Sequence, residues 1–423
     1  MSRKSRHFIL VMAIAIASLL AVACSSSGSS STASTSTSSA ASTSTSSAAS
    51  DSQTSASSSS GLTKVWAPGV PTLQQLYTGT YSAPDSKSPA PAKGKSIWWI
   101  SCGQTVITCA DEAAAAQQAA KALGWSFHLY DGNLGTAGAY STGIQTAIAA
   151  KASAIVEQGF ACPFAQQALE QAKSAGIPVI GSGALDCSDS GGPQLFTVPN
   201  QYGPVVKTQQ DYWKLAGKAS ADYLIDATEG KAQVIDNAGN GQTQQVMLND
   251  AFTAELKKCP ACSIVDTVPF TNSSLTPNGP WINAFRTSLL KHPSANAVYI
   301  PFDELTTTLG GAQAVRAAGR TICTSVPSSG GCIVGAEDEG SSAGLDLDRQ
   351  GSWTADTAAQ SFPWLGWVAI DELNRFFNHQ PAVSEGWGFE AVDKQNGLPA
   401  TAGTNFTPPI DYASDYLKAW GAS

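Results

Sequence analysis

From Lys95 onward, short apolar runs alternate with longer stretches whose apolar positions recur at helical spacing, most of them closed by glycine. Residues 96–101 read as a buried strand, and the Ala- and Gln-rich stretch 110–123 as the helix after it, stopped by Gly124. Residues 126–130 form the next strand, 137–151 a helix burying Ile144, Ala147 and Ile148, and 154–158 a third strand. A helix over 163–175, with proline at its start and Gly176 at its end, leads into a strand over 177–180. After Asn200 the alternation begins again, with helices at 207–227, 244–258, 281–291 and 305–318 between strands at 232–236, 264–268, 297–300 and 332–335. A strand near 353–358 and a helix over 363–379 follow. Alternation of this kind specifies parallel sheets covered by helices, so the chain predicts two doubly wound α/β units in succession.

The first 60 residues break this pattern. Arg3, Lys4 and Arg6 precede an apolar run from Phe8 to Leu20 and the small residues Ala21, Val22 and Ala23, an export leader over 1–23. The run is shorter than the roughly 20 residues a membrane-spanning helix needs. With Cys24 directly after the small residues, the segment resembles a bacterial lipoprotein signal, in which that cysteine becomes the acylated N-terminus. Ala21 stands where such signals usually carry leucine. Residues 25–60 are nearly all Ser, Thr and Ala and bury too little surface to offset chain entropy. The expectation is a lipid-bearing Cys24 and a flexible tether over 24–60, spanning roughly 30–35 Å, on the outer face of a membrane.

The formal charge of −8 includes the three leader bases, so the remainder carries 21 basic against 32 acidic residues. That balance argues against nucleic-acid binding, which needs a basic face. Setting Cys24 aside leaves eight cysteines, an even number in an exported chain. Their spacing suggests the local pairs Cys102 with Cys109, Cys162 with Cys187, Cys259 with Cys262 and Cys323 with Cys332. The Cys259-Pro-Ala-Cys262 motif follows a helix and so lies at its negative end, the wrong place to activate a redox thiolate.

Motifs for catalysis are missing. Four histidines with no HExxH pair leave no metal-ligand set, Gly181-Ser-Gly183 lacks the spacing of a nucleophile elbow, and Gly239-Asn-Gly241 is an incomplete dinucleotide fingerprint. The chain therefore reads as a non-enzyme with no cofactor and no metal. Ligands of open α/β sheets sit at the carboxyl ends of the strands. Those ends carry Gln104, Asp131, Asn133 and Phe160 in the first unit, and Asn237, Asn240, Phe302, Asp303, Glu337 and Asp338 in the second. Amides and carboxylates there suit a hydroxyl-bearing ligand. Each also has a structural alternative: Asp303 and Asp338 as helix caps, Asn237 and Asn240 in turns, Phe160 in a core. Trp99 and Trp353 are further pocket candidates, whereas Trp364 and Trp367, three apart on one helix, suit packing.

Four stretches together resemble the type I periplasmic solute-binding proteins of ABC importers, in the branch related to ribose-binding proteins. These are 171–180, ending in Ala-Gly-Ile-Pro-Val-Ile; the run from Leu290 through Val298–Asp303 to Ala312–Gly319; Ile333–Asp338; and Ala358-Ala-Gln360 with Gly366 beyond it. The resemblance covers about 95–380. It implies two lobes joined by three crossovers, near 198–200, 335–338 and 381–388. Lobe 1 would be 95–198 plus 339–380, and lobe 2 would be 199–338 plus 381–423, with 61–94 as an N-terminal extension. It adds Gln360 to the pocket and supports Asp303, Glu337 and Asp338. It implies a monomer that delivers a sugar or sugar-like molecule to an ABC permease; the alternative is a ligand sensor for a membrane receptor. The family's ligand-binding Arg near Leu248 is absent, and its Asp-Arg pair after the fourth strand is replaced by Gly181-Ser-Gly-Ala184. These departures point to a modified sugar or another small amphipathic ligand.

Overall fold

The computed structural model describes residues 61–328 and 330–422; the leader, Cys24 and the 25–60 tether lie outside them. Strands β1 (Ser96–Ser101), β2 (Ser126–Asp131), β3 (Ala154–Gln158) and β4 (Val179–Ser182) form a parallel sheet in the order β2-β1-β3-β4. Helices α2 (Ile107–Ala122), α3 (Ala139–Ala149) and α4 (Gln166–Ser174) connect them, after a single-turn helix α1 (Leu73–Leu76) that precedes the sheet. Ile97 and Trp99 point into a core with no solvent exposure, as a strand buried on both faces requires.

A second sheet has the order β10-β9-β8-β7-β5-β6, built from β5 (Gln233–Gly239), β6 (Ser263–Phe270), β7 (Ala297–Tyr299), β8 (Val334–Glu339), β9 (Ala355–Gln360) and β10 (Phe389–Asp393). All neighbours are parallel except β10, which runs antiparallel to β9. Its helices are α5 (Gln209–Ala227), α6 (Thr243–Leu256), α7 (Pro280–Lys291), α8 (Asp303–Thr306), α9 (Gly311–Ala317) and α10 (Ser342–Gln350). The single helix expected over 305–318 is interrupted because Gly310, at φ 82°, adopts the left-handed conformation open to glycine.

The lobe boundaries differ from the expected ones. β9 pairs with β8, so residues up to Gln360 stay with the second sheet instead of joining the first lobe at Glu339. The chain crosses at Ser361 into α11 (Phe362–Phe377), which lies on α2 and β4. Gly366 permits that crossing, since a Cβ there would stand 2.6 Å from the Glu112 carbonyl. The chain returns to form β10, then leaves again: α12 (Tyr412–Trp420) packs on α11, with Trp364 stacked on Tyr412 at 4.8 Å and Trp367 on Trp420 at 5.5 Å. Residues 381–423 are thus shared between the two halves.

The 61–94 extension is a strap across the hinge. Leu73 is buried in the main core beside α5. Further on, Thr80 N–H donates to the Phe389 carbonyl at 2.9 Å and Ser82 N–H to the Gly386 carbonyl at 2.8 Å. The strap ends against the first half, where Ala92 N–H donates to Asn374 at 3.0 Å and the Trp125 indole donates to the Ala92 carbonyl at 2.6 Å. Disulfides join Cys102 to Cys109, Cys162 to Cys187, Cys259 to Cys262 and Cys323 to Cys332, with Cα separations of 6.1, 5.0, 5.3 and 5.2 Å.

Arg375 on α11 gathers these segments. Its Nε lies 2.6 Å from Asp371 and 3.7 Å from Glu385 of the third crossover, and its Nη2 donates to the Lys87 carbonyl of the strap at 2.9 Å. Tyr416 of α12 donates to Glu385 at 2.7 Å, and the Trp420 indole to Asp371 at 2.5 Å. Removing one member of a buried ion pair leaves the other uncompensated. Arg375→Met is therefore expected to lower unfolding stability in urea by about 3–5 kcal/mol; an unchanged midpoint would contradict the role given to this guanidinium.

Candidate functional site

At the rim of the first sheet, the Trp99 indole donates to Gln158 at 2.8 Å, and the Gln158 amide donates to the Cys109 carbonyl at 3.0 Å and to Glu112 at 3.1 Å. Ser182 donates to the other Glu112 oxygen. Burial pushes the Glu112 carboxyl up to about 7, with the Ser182 and Gln158 hydrogen bonds opposing the shift. Trp99 is therefore a core residue, not a pocket wall. Phe160 is also core: it is 2 % exposed and stacked on Tyr140. Asp131 is exposed and shapes a turn, accepting from the Gln104 N–H at 3.0 Å and the Asn133 N–H at 2.9 Å. Gln104 is half-buried, its amide donating to Ser101 at 2.7 Å.

The second rim is crowded with buried acids. Asp338 accepts from Ser220 at 2.6 Å, Tyr299 at 2.8 Å and Thr357 at 3.0 Å, and burial pushes its carboxyl up to about 7. Glu337 accepts from Thr306. Ser341 caps α10, and Asp303 accepts the Ser341 N–H at 2.7 Å while its own N–H donates to Glu339 at 3.2 Å. Gly344 makes room for that carboxylate, since a Cβ there would stand 2.8 Å from it. Burial, reinforced by mutual repulsion, holds Asp303, Glu337, Glu339, Asp348 and Asp356 well above the usual carboxylate range. Among the described residues none of these acids forms an ion pair with a base, and no group of three or more His, Cys, Asp or Glu side chains is arranged to hold a metal ion. Asn237 is core, donating to the Tyr299 carbonyl at 2.9 Å and accepting from the Trp281 indole at 3.0 Å; Trp353 is core as well, with no exposure.

Two predicted residues, Gln360 and Phe302, meet on one face of α5. The Gln360 amide donates to the Tyr212 hydroxyl, leaving its buried Oε1 without a partner. Tyr212 lies edge-on to Trp213 at 4.9 Å and packs against Trp387 at 5.3 Å. Trp213 is half-buried and meets Phe302 edge-on at 6.3 Å, and its indole N–H has no partner. Gln209, one turn earlier, likewise has a buried Oε1 without a partner. Gln209, Tyr212 and Trp213 stand at i, i+3 and i+4 and so share a face. The sequence reading missed all three; a helix opening on Gln-Gln-Asp-Tyr-Trp was the available signal.

A cavity of about 270 Å3 adjoins this face, bounded by the segment after β4, the first crossover and the first turn of α5. Beside it Gln210 donates to Asp189 at 2.7 Å, and Ser190 meets Thr243 of α6 at 3.3 Å. Both contacts join the loop after β4 to helices of the second sheet.

Residues 99–380 match the model of a family described as a periplasmic binding protein domain. No curated protein sequence matches the chain. Solved structures share the fold. A periplasmic ribose ABC transporter protein from Conexibacter woesei is 17 % identical at a TM-score of 0.57, covering 72 % of this chain and 94 % of that one. A solute-binding protein from Actinobacillus succinogenes with bound D-allose is 18 % identical at 0.57, covering 71 % and 98 %. One from Agrobacterium vitis with bound allitol is 24 % identical at 0.53, covering 72 % and 96 %. No helix among the described residues is long and apolar enough to cross a membrane.

The raised carboxyls set a direction for stability. Glu112, Asp236 and Asp338 hold their protons to about pH 7 in the fold, whereas unfolded carboxyls release theirs near pH 4. Between those limits the folded chain binds more protons than the unfolded one, so stability falls as pH rises. The melting temperature is expected to drop between about pH 5 and pH 8, and Asp338→Asn to flatten part of that slope. A melting temperature that climbs over the same interval would contradict these protonation states.

Proposed function

The chain belongs to the periplasmic binding protein domain family, and on that premise we propose that it is an extracytoplasmic solute-binding protein of an ABC importer. It captures a small, hydroxyl-bearing, sugar-like molecule between its two α/β halves and hands it unchanged to a permease. The observation that carries this reading is the group on α5: Gln360 Oε1 and Trp213 Nε1 are both buried without partners. Buried polar atoms left unpaired cost about 1–3 kcal/mol each, and a ligand hydroxyl, which both donates and accepts, satisfies either one. The exposed parts of Trp213 and Phe302 supply apolar faces for the C–H surface of such a ring. Asp303 Oδ1 and Glu337 Oε1 also lack partners.

The likeness to binding proteins solved with D-allose and allitol supports a sugar or polyol as the ligand class. The family resemblance departs at Gly181-Ser-Gly-Ala184, where the expected Asp-Arg pair is absent, which favours a modified sugar or another small amphipathic ligand. Cys24 acylation and the 25–60 tether would hold the protein at the membrane surface within reach of the permease. The ligand leaves as it came, and the protein contributes selection through hinge closure.

Thermal unfolding of the full-length protein against a panel of pentoses, hexoses, their deoxy forms and polyols tests this reading. A ligand at 100 times its dissociation constant stabilises the native state by about 2.7 kcal/mol, and a folded protein that none of the panel stabilises would overturn the sugar-like class. For the best ligand, Gln360→Leu and Trp213→Leu are each expected to weaken binding by about 1–3 kcal/mol while the proteins remain folded. Cys24→Ala is expected to move the protein from the membrane fraction into the medium; retention on the membrane would remove the lipid anchor from the picture.

A further inference from the structure

The cavity beside the first crossover has a chemistry of its own. Its walls include Asp186, Asp189, Asn200, Tyr202, Phe196 and Gln209, and no lining residue is basic. Asp186 is saturated: it accepts the Cys187 N–H at 2.7 Å, the Leu195 N–H at 3.0 and 3.1 Å, and the Ser188 hydroxyl at 3.0 Å. Asp189 is not. One of its oxygens takes the Gln210 amide at 2.7 Å and the other the Asp186 N–H at 2.8 Å, which leaves a lone pair on each.

Two more residues of the same wall each carry a buried acceptor without any partner: Gln209, 6 % exposed, at its Oε1, and Asn200 at its Oδ1, while the Asn200 amide nitrogen donates to the Gly181 carbonyl at 3.0 Å. The walls thus carry three acceptor groups with capacity left, Asp189, Gln209 and Asn200, beside the carboxylate of Asp186 and with no basic lining residue. A hydroxyl donates one hydrogen and brings lone pairs that find few donors here. A primary ammonium has three donors, no acceptor and a positive charge, and it meets this demand group for group.

We propose that this cavity is a subsite for a primary ammonium group, so that the ligand class is an amino-bearing hydroxyl compound, such as an amino sugar or amino alcohol. The inference rests on the solute-binding reading and deepens it. Gln209 shares a face of α5 with Trp213, so one ligand reaches both: its amine in the cavity and its ring against Trp213 and Phe302.

The test is calorimetric titration of the full-length protein, purified in detergent, with matched pairs that differ in amine against hydroxyl: D-glucosamine and D-glucose, ethanolamine and ethylene glycol, 1,4-diaminobutane and 1,4-butanediol. In at least one pair the amine is expected to bind about tenfold tighter or more. That preference is expected to fall below about twofold in Gln209→Leu and in Asp189→Asn, two variants on different elements, while Trp213→Leu weakens binding but keeps the preference. Equal or better binding of the hydroxyl members overturns the ammonium subsite and leaves the sugar-like reading standing. A preference that survives in both Gln209→Leu and Asp189→Asn overturns the placement in this cavity. If none of these compounds binds, the subsite is overturned, and the sugar and polyol panel decides the wider reading separately.

Discussion

The architecture depends on one buried guanidinium. Arg375 is the charge around which the strap, α11, the third crossover and, through Asp371 and Glu385, α12 converge. A hinge of bare connecting strands would leave the two halves free to splay. Here two further segments are anchored across it, the strap entering from one side and the C-terminal helix from the other. Under the proposed function, opening and closing would take place around this knot.

Away from Arg375 and from Lys218, which holds Asp222 and Glu255, many interior acids pair with hydroxyls instead of bases. Asp338 has Ser220, Tyr299 and Thr357; Glu112 has Ser182; Glu390 has Tyr81. An ionised carboxylate is costly to bury without a cation, whereas a protonated one donates as well as accepts. The raised proton affinities of these groups come from burial, which the hydroxyl hydrogen bonds partly oppose. β8 and β9 illustrate the result: Val-Gly-Ala-Glu-Asp-Glu and Ala-Asp-Thr-Ala-Ala-Gln are polar on paper and wholly buried in the sheet.

The same two strands explain where the sequence was readable and where it was not. Strand–helix alternation and cysteine spacing are local signals, and they led to both parallel sheets and to the four disulfide pairs present in the structure. Whether Ala355–Gln360 joins the first sheet or the second is decided by pairing with Val334–Glu339, which no local pattern in so polar a segment records. The site was legible only in part. Phe302 was selected by its place at a strand end and Gln360 by the family resemblance, but Asn237 and Phe160 also stand at strand ends and are consumed by the core, through Trp281 and Tyr140. Position selects candidates, and only the partner of each polar atom separates binders from braces. Gln209 and Trp213 lie at the start of a helix in an otherwise ordinary amphipathic stretch, where their unpaired atoms have no sequence signature.

The strap also bears on how the molecule is made. Ser88 finds Asp371 across 283 residues, Lys87 finds Arg375 across 288, and Tyr81 finds Glu390 across 309. A chain that is synthesised and exported from its N-terminus presents the strap early and the groove that receives it late. During that interval Tyr77, whose hydroxyl donates to Asp393, has no home, and the first sheet must stand without α11, the helix that covers α2. The earliest segment of the folded body is therefore among the last to dock fully, and a nascent chain of this protein carries an undocked strap until nearly all of its length has passed.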